Sequence, residues 1–291
     1  MLDSVTNLAS LLKDPTLLVT KAYVAGQWID ADDGTTFEVT NPARGDVICH
    51  LPNLGRAETA RAIAAAEVAM KEWAARTGQE RAAVMRKWFD LMMANQEDLG
   101  KILTAEMGKP LAEAKGEVAY GASFIEWFGE EAKRVYGERA GLPKGILSVI
   151  TSKRASDIGK EFCENHAVRK LTFTGSTEVG RILLRQAAEQ VMKCSMELGG
   201  NAPFIVFDDA DLDAAVAGAM VSKFRNNGQT CVCANRIYVQ AGVYDAFAKK
   251  LGEAVAKTRV GDGLSEDVTF GPLINMKALE KVEGIAEDLT W

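Results

Sequence analysis

The chain has 291 residues, of which 47% are hydrophobic and 25% charged, a composition typical of folded globular proteins. Its net charge of −6, without a long lysine or arginine run, argues against nucleic acid and anionic membrane surfaces as partners. No apolar run could cross a bilayer and the start does not resemble a secretory signal, so we expect no membrane association and a cytoplasmic location. Five cysteines and two histidines without metal-ligand spacing predict reduced thiols and no metal site.

The first part of the chain predicts a short leading helix, a small β-hairpin and then a series of helices. Residues 23–29 and 37–39, separated by a turn at residues 32–34, predict the hairpin, and a further strand begins at residue 47. The spacing of apolar residues then predicts helices over residues 58–75, 79–95, 96–107 and 111–136.

The pattern changes after residue 137, where short β-branched runs alternate with helical stretches. The predicted strands cover residues 147–150, 170–173, 203–207 and 236–239. The predicted helices cover residues 158–165, 177–190, 211–224 and 243–255. This alternation predicts an α/β fold with Rossmann-type, mainly parallel sheets covered by helices on both faces.

The stretch Asn-Asn-Gly-Gln-Thr-Cys-Val-Cys at residues 226–233 places two cysteines directly after a glycine-containing turn. A thiolate at such a turn can attack a carbonyl group, and its own backbone N–H can stabilise the resulting oxyanion. Burial as an inert small side chain is the commoner outcome for an isolated cysteine, so the residues alone leave both interpretations open for Cys231 and Cys233.

Two further stretches carry candidate functional residues. Glu197, which precedes Leu198 and two glycines, could activate a water molecule at a strand end, or it could simply be a solvated side chain. The stretch Phe-Thr-Gly-Ser-Thr-Glu-Val-Gly at residues 173–180 follows an apolar strand and opens a helix. This position suits a pyrophosphate, and it equally suits a helix cap formed by Ser176 or Thr177.

Together these motifs resemble those of the aldehyde dehydrogenase family. Glu-Leu-Gly-Gly at residues 197–200 is similar to the general-base motif of the family, and Gly-Gln-Thr-Cys at residues 228–231 is similar to its nucleophile motif. Residues 173–180 look like the segment that meets the cofactor pyrophosphate. The likeness extends from about Tyr23 to Ile274, and its variants are most similar to those of succinate-semialdehyde dehydrogenases.

The resemblance implies an oxidoreductase that converts succinate semialdehyde, or a similar small aldehyde, to the acid with NADP or NAD. It implies Cys231 as the nucleophile, Glu197 as the general base and Arg225 as the side chain that binds the substrate carboxylate. A surface arginine at a helix end is the alternative for Arg225. The other implied site residues are four cofactor contacts and one redox candidate, which could also be a passive thiol: Gly175, Ser176, Val179, Leu198 and Cys233.

The likeness is interrupted between Glu138 and Ala140. The family has a long segment there, with a Pro-Trp-Asn-Phe-Pro motif whose asparagine is the side-chain half of the oxyanion hole, and a Lys-Pro motif that binds the adenosine ribose region. This sequence contains no Trp-Asn pair, and its Lys109-Pro110 belongs to an earlier match. The family also continues beyond residues 271–274, with strands that pair across a homo-oligomer, and these oligomerisation elements are absent here.

We therefore expect an incomplete fold in three parts. Residues 1–139 form the hairpin, helices and start of the cofactor domain, residues 140–200 the remainder of that domain, and residues 201–291 the first part of the catalytic domain. Strands that become edges and lose packing partners predict weak or no turnover. The alternatives are a remnant or interaction module without catalysis, and a cofactor-independent thiol esterase that uses Cys231.

Overall fold

The structure is a computed structural model that describes residues 8–134, 138–139 and 145–288. The first part consists of short antiparallel strand pairs and long helices. Its elements in order are α1 (Leu8–Leu11), β1 (Ala22–Val24), β2 (Gln27–Ile29), β3 (Thr36–Thr40), β4 (Val47–Pro52), α2 (Arg56–Ala74), β5 (Arg76–Thr77), α3 (Gly78–Ala94), α4 (Gln96–Met107), α5 (Leu111–Arg134) and β6 (Glu138–Arg139). The four predicted helices of this part are confirmed, although the predicted end of the last one at residue 136 lies outside the described residues.

The predicted hairpin is wrong in its pairing. Strand β1 pairs with β2 through a turn at Ala25 and Gly26, whose φ angles are +52° and +81°, and β3 pairs with β4. The predicted turn at residues 32–34 joins β2 to β3, which do not pair. In this turn Asp33 accepts hydrogen bonds from the backbone N–H and the hydroxyl of Thr35, at 2.9 and 2.6 Å, so the bend forms without strand pairing.

The second part alternates strands and helices. Its elements are α6 (Ala155–Glu164), β7 (Lys170–Gly175), α7 (Thr177–Ala188), β8 (Lys193–Leu198), β9 (Ala202–Val206), α8 (Leu212–Phe224), β10 (Ala234–Val239), α9 (Tyr244–Ala256) and α10 (Met276–Asp288). Strand β7 is parallel to β8, and β9 is parallel to β10, which confirms an α/β fold with parallel pairing. The predicted strand over residues 147–150 is wrong: it is reduced to a single bridge between Val149 and Tyr23.

The parallel strand pairs bury one face against helices. Under β9 and β10 the buried cluster contains Val206, Val216 and Phe247, and α8 and α9 supply its helical side. On the opposite face Ile205 and Phe207 are 57% and 58% exposed. Among the described residues, the predicted helical cover is therefore present on one face of this strand pair and not on the other, which agrees with the expectation of an incomplete fold. Within the described ranges, no helix is both long enough and apolar enough to cross a membrane.

Candidate active site

Cys231 lies on a loop, residues 225–233, that we call the Cys231 loop. After α8 the chain enters a short 3₁₀ turn, in which Asn226, Asn227 and Gly228 have φ angles of +52°, +58° and +77°. Glycine adopts this left-handed conformation without penalty, and asparagine tolerates it better than most other residues. The Asn-Asn-Gly sequence therefore produces the reversal that delivers Cys231 shortly before β10.

Side chains of the Cys231 loop hold a distant segment of backbone, residues 271–274. Asn227 accepts a hydrogen bond from the Gly271 N–H at 2.7 Å, and its amide nitrogen lies 3.4 Å from the Pro272 carbonyl oxygen. Gln229 accepts a hydrogen bond from the Ile274 N–H at 3.1 Å. The loop is thus tied to this segment at three points, and its conformation does not depend on local turn preferences alone.

The structure distinguishes the two thiols that the sequence could not. Cys233 is 1% exposed, and its sulfur lies 2.8 Å from the Thr230 hydroxyl oxygen, whereas Cys231 is exposed. Within the described part of the chain, the Cys231 backbone N–H makes no hydrogen bond. Burial as a packed small side chain therefore describes Cys233, while Cys231 combines an accessible sulfur with an unused backbone donor.

The turn that follows β8, directly after Glu197 and Leu198, reaches the Cys231 loop. The Glu197 side chain is exposed at the end of this strand. At Gly200, three residues later, a Cβ atom would lie 3.1 Å from the carbonyl oxygen of Cys231. Asn235, which follows the cysteines, donates to the Gly200 carbonyl at 3.1 Å and to the side chain of Asn201 at 2.8 Å. The carboxylate and the thiol therefore stand on adjoining backbone segments.

The predicted cofactor contacts also lie together, at the end of β7 and the start of α7. Gly175 is paired in register with Leu198, and Gly180 of α7 packs against the Leu198 side chain. The Ser176 hydroxyl accepts a hydrogen bond from the Val179 N–H at 3.2 Å, so the helix-cap interpretation of this serine is confirmed. The segment is exposed, and the remaining N–H groups of the first turn fit an anion such as a pyrophosphate.

Arg225 is the first residue of the 3₁₀ turn and is exposed. Throughout the described residues, its guanidinium forms neither an ion pair nor a hydrogen bond. The five planar N–H donors are consequently available to an external carboxylate.

One residue that supports the loop was not identified from the sequence. The carboxylate of Glu113, in the first turn of α5, accepts a hydrogen bond from the Asn226 backbone N–H at 2.9 Å. These residues are 113 positions apart, and no local pattern connects them. The contacts of Asn227 were missed as well, although its place in an Asn-Asn-Gly turn was a usable signal.

Comparisons with known proteins agree with the motifs. A sequence model described as the aldehyde dehydrogenase family matches residues 28–140 and 137–290. A glutarate-semialdehyde dehydrogenase of Pseudomonas putida is 50% identical, with 95% of this chain and 72% of the relative covered. An NADP(+) succinate-semialdehyde dehydrogenase of Escherichia coli is 46% identical, with 94% and 70% covered. The crystal structure of a succinate-semialdehyde dehydrogenase from Burkholderia pseudomallei superposes with a TM-score of 0.90 at 48% identity, with 94% and 70% covered.

The same comparisons locate the internal interruption. The alignment with the P. putida relative has 345 positions against 291 residues in the chain, so at least 54 positions of the relative have no counterpart here. The family match itself breaks into two pieces at residues 137–140. This is the place at which the sequence motifs already predicted a missing segment.

Proposed function

The chain belongs to the aldehyde dehydrogenase family, and from this premise we propose that it acts on a short aldehyde with a carboxylate at its far end. Succinate semialdehyde is the proposed substrate, and NADP or NAD the proposed cofactor. The observation that carries the proposal is the approach of the exposed Cys231 to the turn that follows Glu197, through Gly200.

In the proposed reaction, the Cys231 sulfur as thiolate attacks the carbonyl carbon of the aldehyde, which gives a thiohemiacetal. The free backbone N–H of Cys231 donates a hydrogen bond to the developing oxyanion. Glu197 is the base that takes the thiol proton, and later the base that activates the water that hydrolyses the acyl thioester.

The proposed roles assign one parallel strand pair to cofactor binding and the other to the chemistry of the thiol. We place the border between the cofactor-binding part, 140–200, and the catalytic part, 201–291, directly after Gly200.

The cofactor fits the start of α7. When bound, the oxidised cofactor, NADP⁺ or NAD⁺, would accept a hydride from the thiohemiacetal carbon, the two-electron oxidation by which the thiohemiacetal on Cys231 becomes the acyl thioester. The exposed N–H groups after Ser176 would hold the pyrophosphate, because the helix dipole and the free donors both favour negative charge there. Gly175 and Leu198, paired in register, would form the floor beneath it. Val179, 42% exposed, would contribute apolar contact.

Arg225 would select the substrate. A guanidinium binds a carboxylate through two parallel hydrogen bonds, which suits an aldehyde with an acidic far end. The P. putida and E. coli relatives are named for glutarate and succinate semialdehyde, both of which are aldehydes of this class. We infer that a neutral aldehyde of equal length reacts more slowly than succinate semialdehyde.

We further propose that turnover is low. The asparagine half of the family's oxyanion hole has no counterpart in this sequence, and loss of one such donor typically costs about 10²–10³ in rate. The test is formation of reduced nucleotide from succinate semialdehyde, beside the P. putida relative as reference. We expect measurable turnover at least about 100-fold below the reference, abolished by Cys231→Ser and retained by the control Cys49→Ser. Turnover equal to the reference would contradict the impairment, and turnover that survives Cys231→Ser would contradict the nucleophile.

A second candidate function is hydrolysis of activated esters without a cofactor. It is favoured by the same accessible Cys231 sulfur and unused N–H, which need no dinucleotide. The ester hydrolysis should then depend on Cys231 and stay the same when NADP is added. If this result is found and no aldehyde is oxidised, the esterase proposal replaces the dehydrogenase proposal.

A further inference from the structure

Glu113 connects the N-terminal helices to the Cys231 loop. Its carboxylate accepts a hydrogen bond from the Asn226 N–H at 2.9 Å, and both residues are half-buried. Glu113 lies in the first turn of α5, whereas Asn226 lies just after α8, so the contact joins two parts of the molecule that are remote in sequence.

The backbone at Asn226 needs such a partner. With a φ of +52°, this residue leaves the helical path, and it begins the run of three left-handed residues that positions Cys231. A partly buried N–H without an acceptor is costly, and a carboxylate is a stronger acceptor than a neutral group. Without Glu113, the half-buried Asn226 N–H would have to find another partner.

Glu113 is itself held in place. The Leu111 N–H at the start of α5 donates to the Gly263 carbonyl at 3.0 Å. The buried Lys109 just before the helix forms an ion pair with Glu117, one turn along from Glu113. The turn before the helix, at Gly108, packs closely on Gly271, because a Cβ atom added at Gly271 would overlap the Gly108 carbonyl oxygen. The start of α5, and with it Glu113, is therefore held in place against the rest of the molecule by contacts other than the one with Asn226.

We propose that Glu113 is a positioning residue for the nucleophile: it fixes the Asn226 N–H and thereby the path of the loop to Cys231. The inference rests on the proposed role of Cys231, but the conformation of the loop can be measured without turnover. Cys233 is 1% exposed inside the loop, and Cys163 is 1% exposed in a separate cluster with Leu183. The two buried thiols distinguish local opening from general unfolding.

The experiment alkylates the full chain with iodoacetamide and follows each cysteine by peptide mass spectrometry. The test variants are Glu113→Ala and Glu113→Gln. The control is Glu126→Ala, a glutamate of the same helix whose ion pair is with Arg86 on α3. We expect Glu113→Ala to raise the alkylation rate of Cys233 about tenfold and to leave the alkylation rate of Cys163 unchanged. A factor of about ten is what the loss of one hydrogen bond implies for a local opening equilibrium.

Glu113→Gln should restore much of the protection, since its side-chain carbonyl can accept the same N–H, and Glu126→Ala should match the parent chain. Unchanged Cys233 labelling in Glu113→Ala would overturn the proposal, as would an equal rise at Cys163 or a glutamine variant as reactive as the alanine variant. If the labelling follows the expectation while no aldehyde is oxidised, the proposed function fails and the loop assignment stands.

Discussion

The thiol and cofactor halves of the candidate site are built in different ways. The Cys231 loop is held by segments far away in sequence: Glu113 on α5 and the backbone of residues 271–274. The β7–α7 turn, residues 175–180, is held over a much shorter stretch of chain, by the Ser176 cap within the turn and by packing of Gly180 on Leu198, 18 positions further on. A conformation enforced from a distance can be unfavourable locally, as the left-handed Asn226 and Asn227 show. One enforced locally must follow ordinary helix-start chemistry.

Glycine substitutions offer a direct test of this difference, because each adds the same methyl group to one half or the other. Gly271→Ala should have the largest effect. Its Cβ would overlap the Gly108 carbonyl oxygen, so two backbone segments must separate and the loop loses its support. We expect a loss of about 3 kcal/mol in unfolding free energy, at the upper end for overpacking, measured by urea denaturation. Gly199→Ala, at a position outside every helix and strand and with no neighbour within 4 Å, is the control. A loss no larger than in that control would contradict the close packing.

Gly200→Ala acts where the two halves meet. Its Cβ would lie 3.1 Å from the Cys231 carbonyl oxygen, a contact that requires the loop to shift by a few tenths of an ångström. We expect a loss of about 1–2 kcal/mol and a changed alkylation rate at Cys231. Gly199→Ala next to it has no neighbour within 4 Å and should leave that rate as it is. If both variants alkylate alike, the turn and the loop do not adjoin as described.

Acidification should destabilise the start of α2, the helix that contacts α6 of the proposed cofactor-binding part, 140–200. Glu58 accepts hydrogen bonds from the N–H groups of Asp32 and Gly55, each at 2.9 Å. Desolvation raises the pKa of the Glu58 carboxyl, but these backbone hydrogen bonds outweigh it and the net pKa is lowered. Glu58 caps α2, whose Arg56 forms ion pairs with α6.

A lowered pKa means that the Glu58 contribution is complete above the unfolded carboxyl value of about 4.3 and is lost as pH falls through the folded value. We expect Glu58→Gln to be less stable than the parent by about 1 kcal/mol at pH 7, with the difference narrowing below pH 4 in thermal unfolding. A difference that stays constant from pH 7 to pH 3 would show that the charge of Glu58 is not involved.

Gly180→Ala should have the smallest effect. Its Cβ would meet only the tip of the Leu198 side chain, which can rotate away, and replacing a helical glycine with alanine gains up to about 1 kcal/mol. We expect the urea midpoint to stay close to that of the parent. A loss as large as that of Gly271→Ala would remove the distinction between the two halves.

The sequence predicts most elements but fewer of their pairings. The helix over residues 96–107 is confirmed at both ends, because Asn95 and the left-handed Gly108 delimit it. The hairpin was wrong because its true turn, Ala25-Gly26, lacks the asparagine or aspartate typical of such turns, which the nearby Asp32-Asp33-Gly34 supplies. The prediction of a strand over residues 147–150 is wrong for a different reason. A strand requires a neighbouring strand, and at least 54 positions of the P. putida relative have no counterpart in this chain.

The candidate site divides in the same way. Cys231, Glu197 and the Ser176 cap lie in motifs that a single sequence reveals, and their catalytic and binding roles stay predictions. The hydrogen bond from Asn226 to Glu113 spans 113 positions. Such a contact follows from the packing of α5 against the loop and leaves no periodicity to detect, so it required the folded chain.

Asn227 and Gly228 also bear on how the protein ages in storage. Asparagine followed by glycine is prone to deamidation, because the next backbone nitrogen can attack the side-chain carbonyl and expel ammonia. Here the Asn227 amide is restrained at both ends, by the Gly271 N–H and the Pro272 carbonyl. The chemical lifetime of the loop therefore depends on residues 271–274 staying in place, and any opening there exposes the amide to irreversible conversion into an acid.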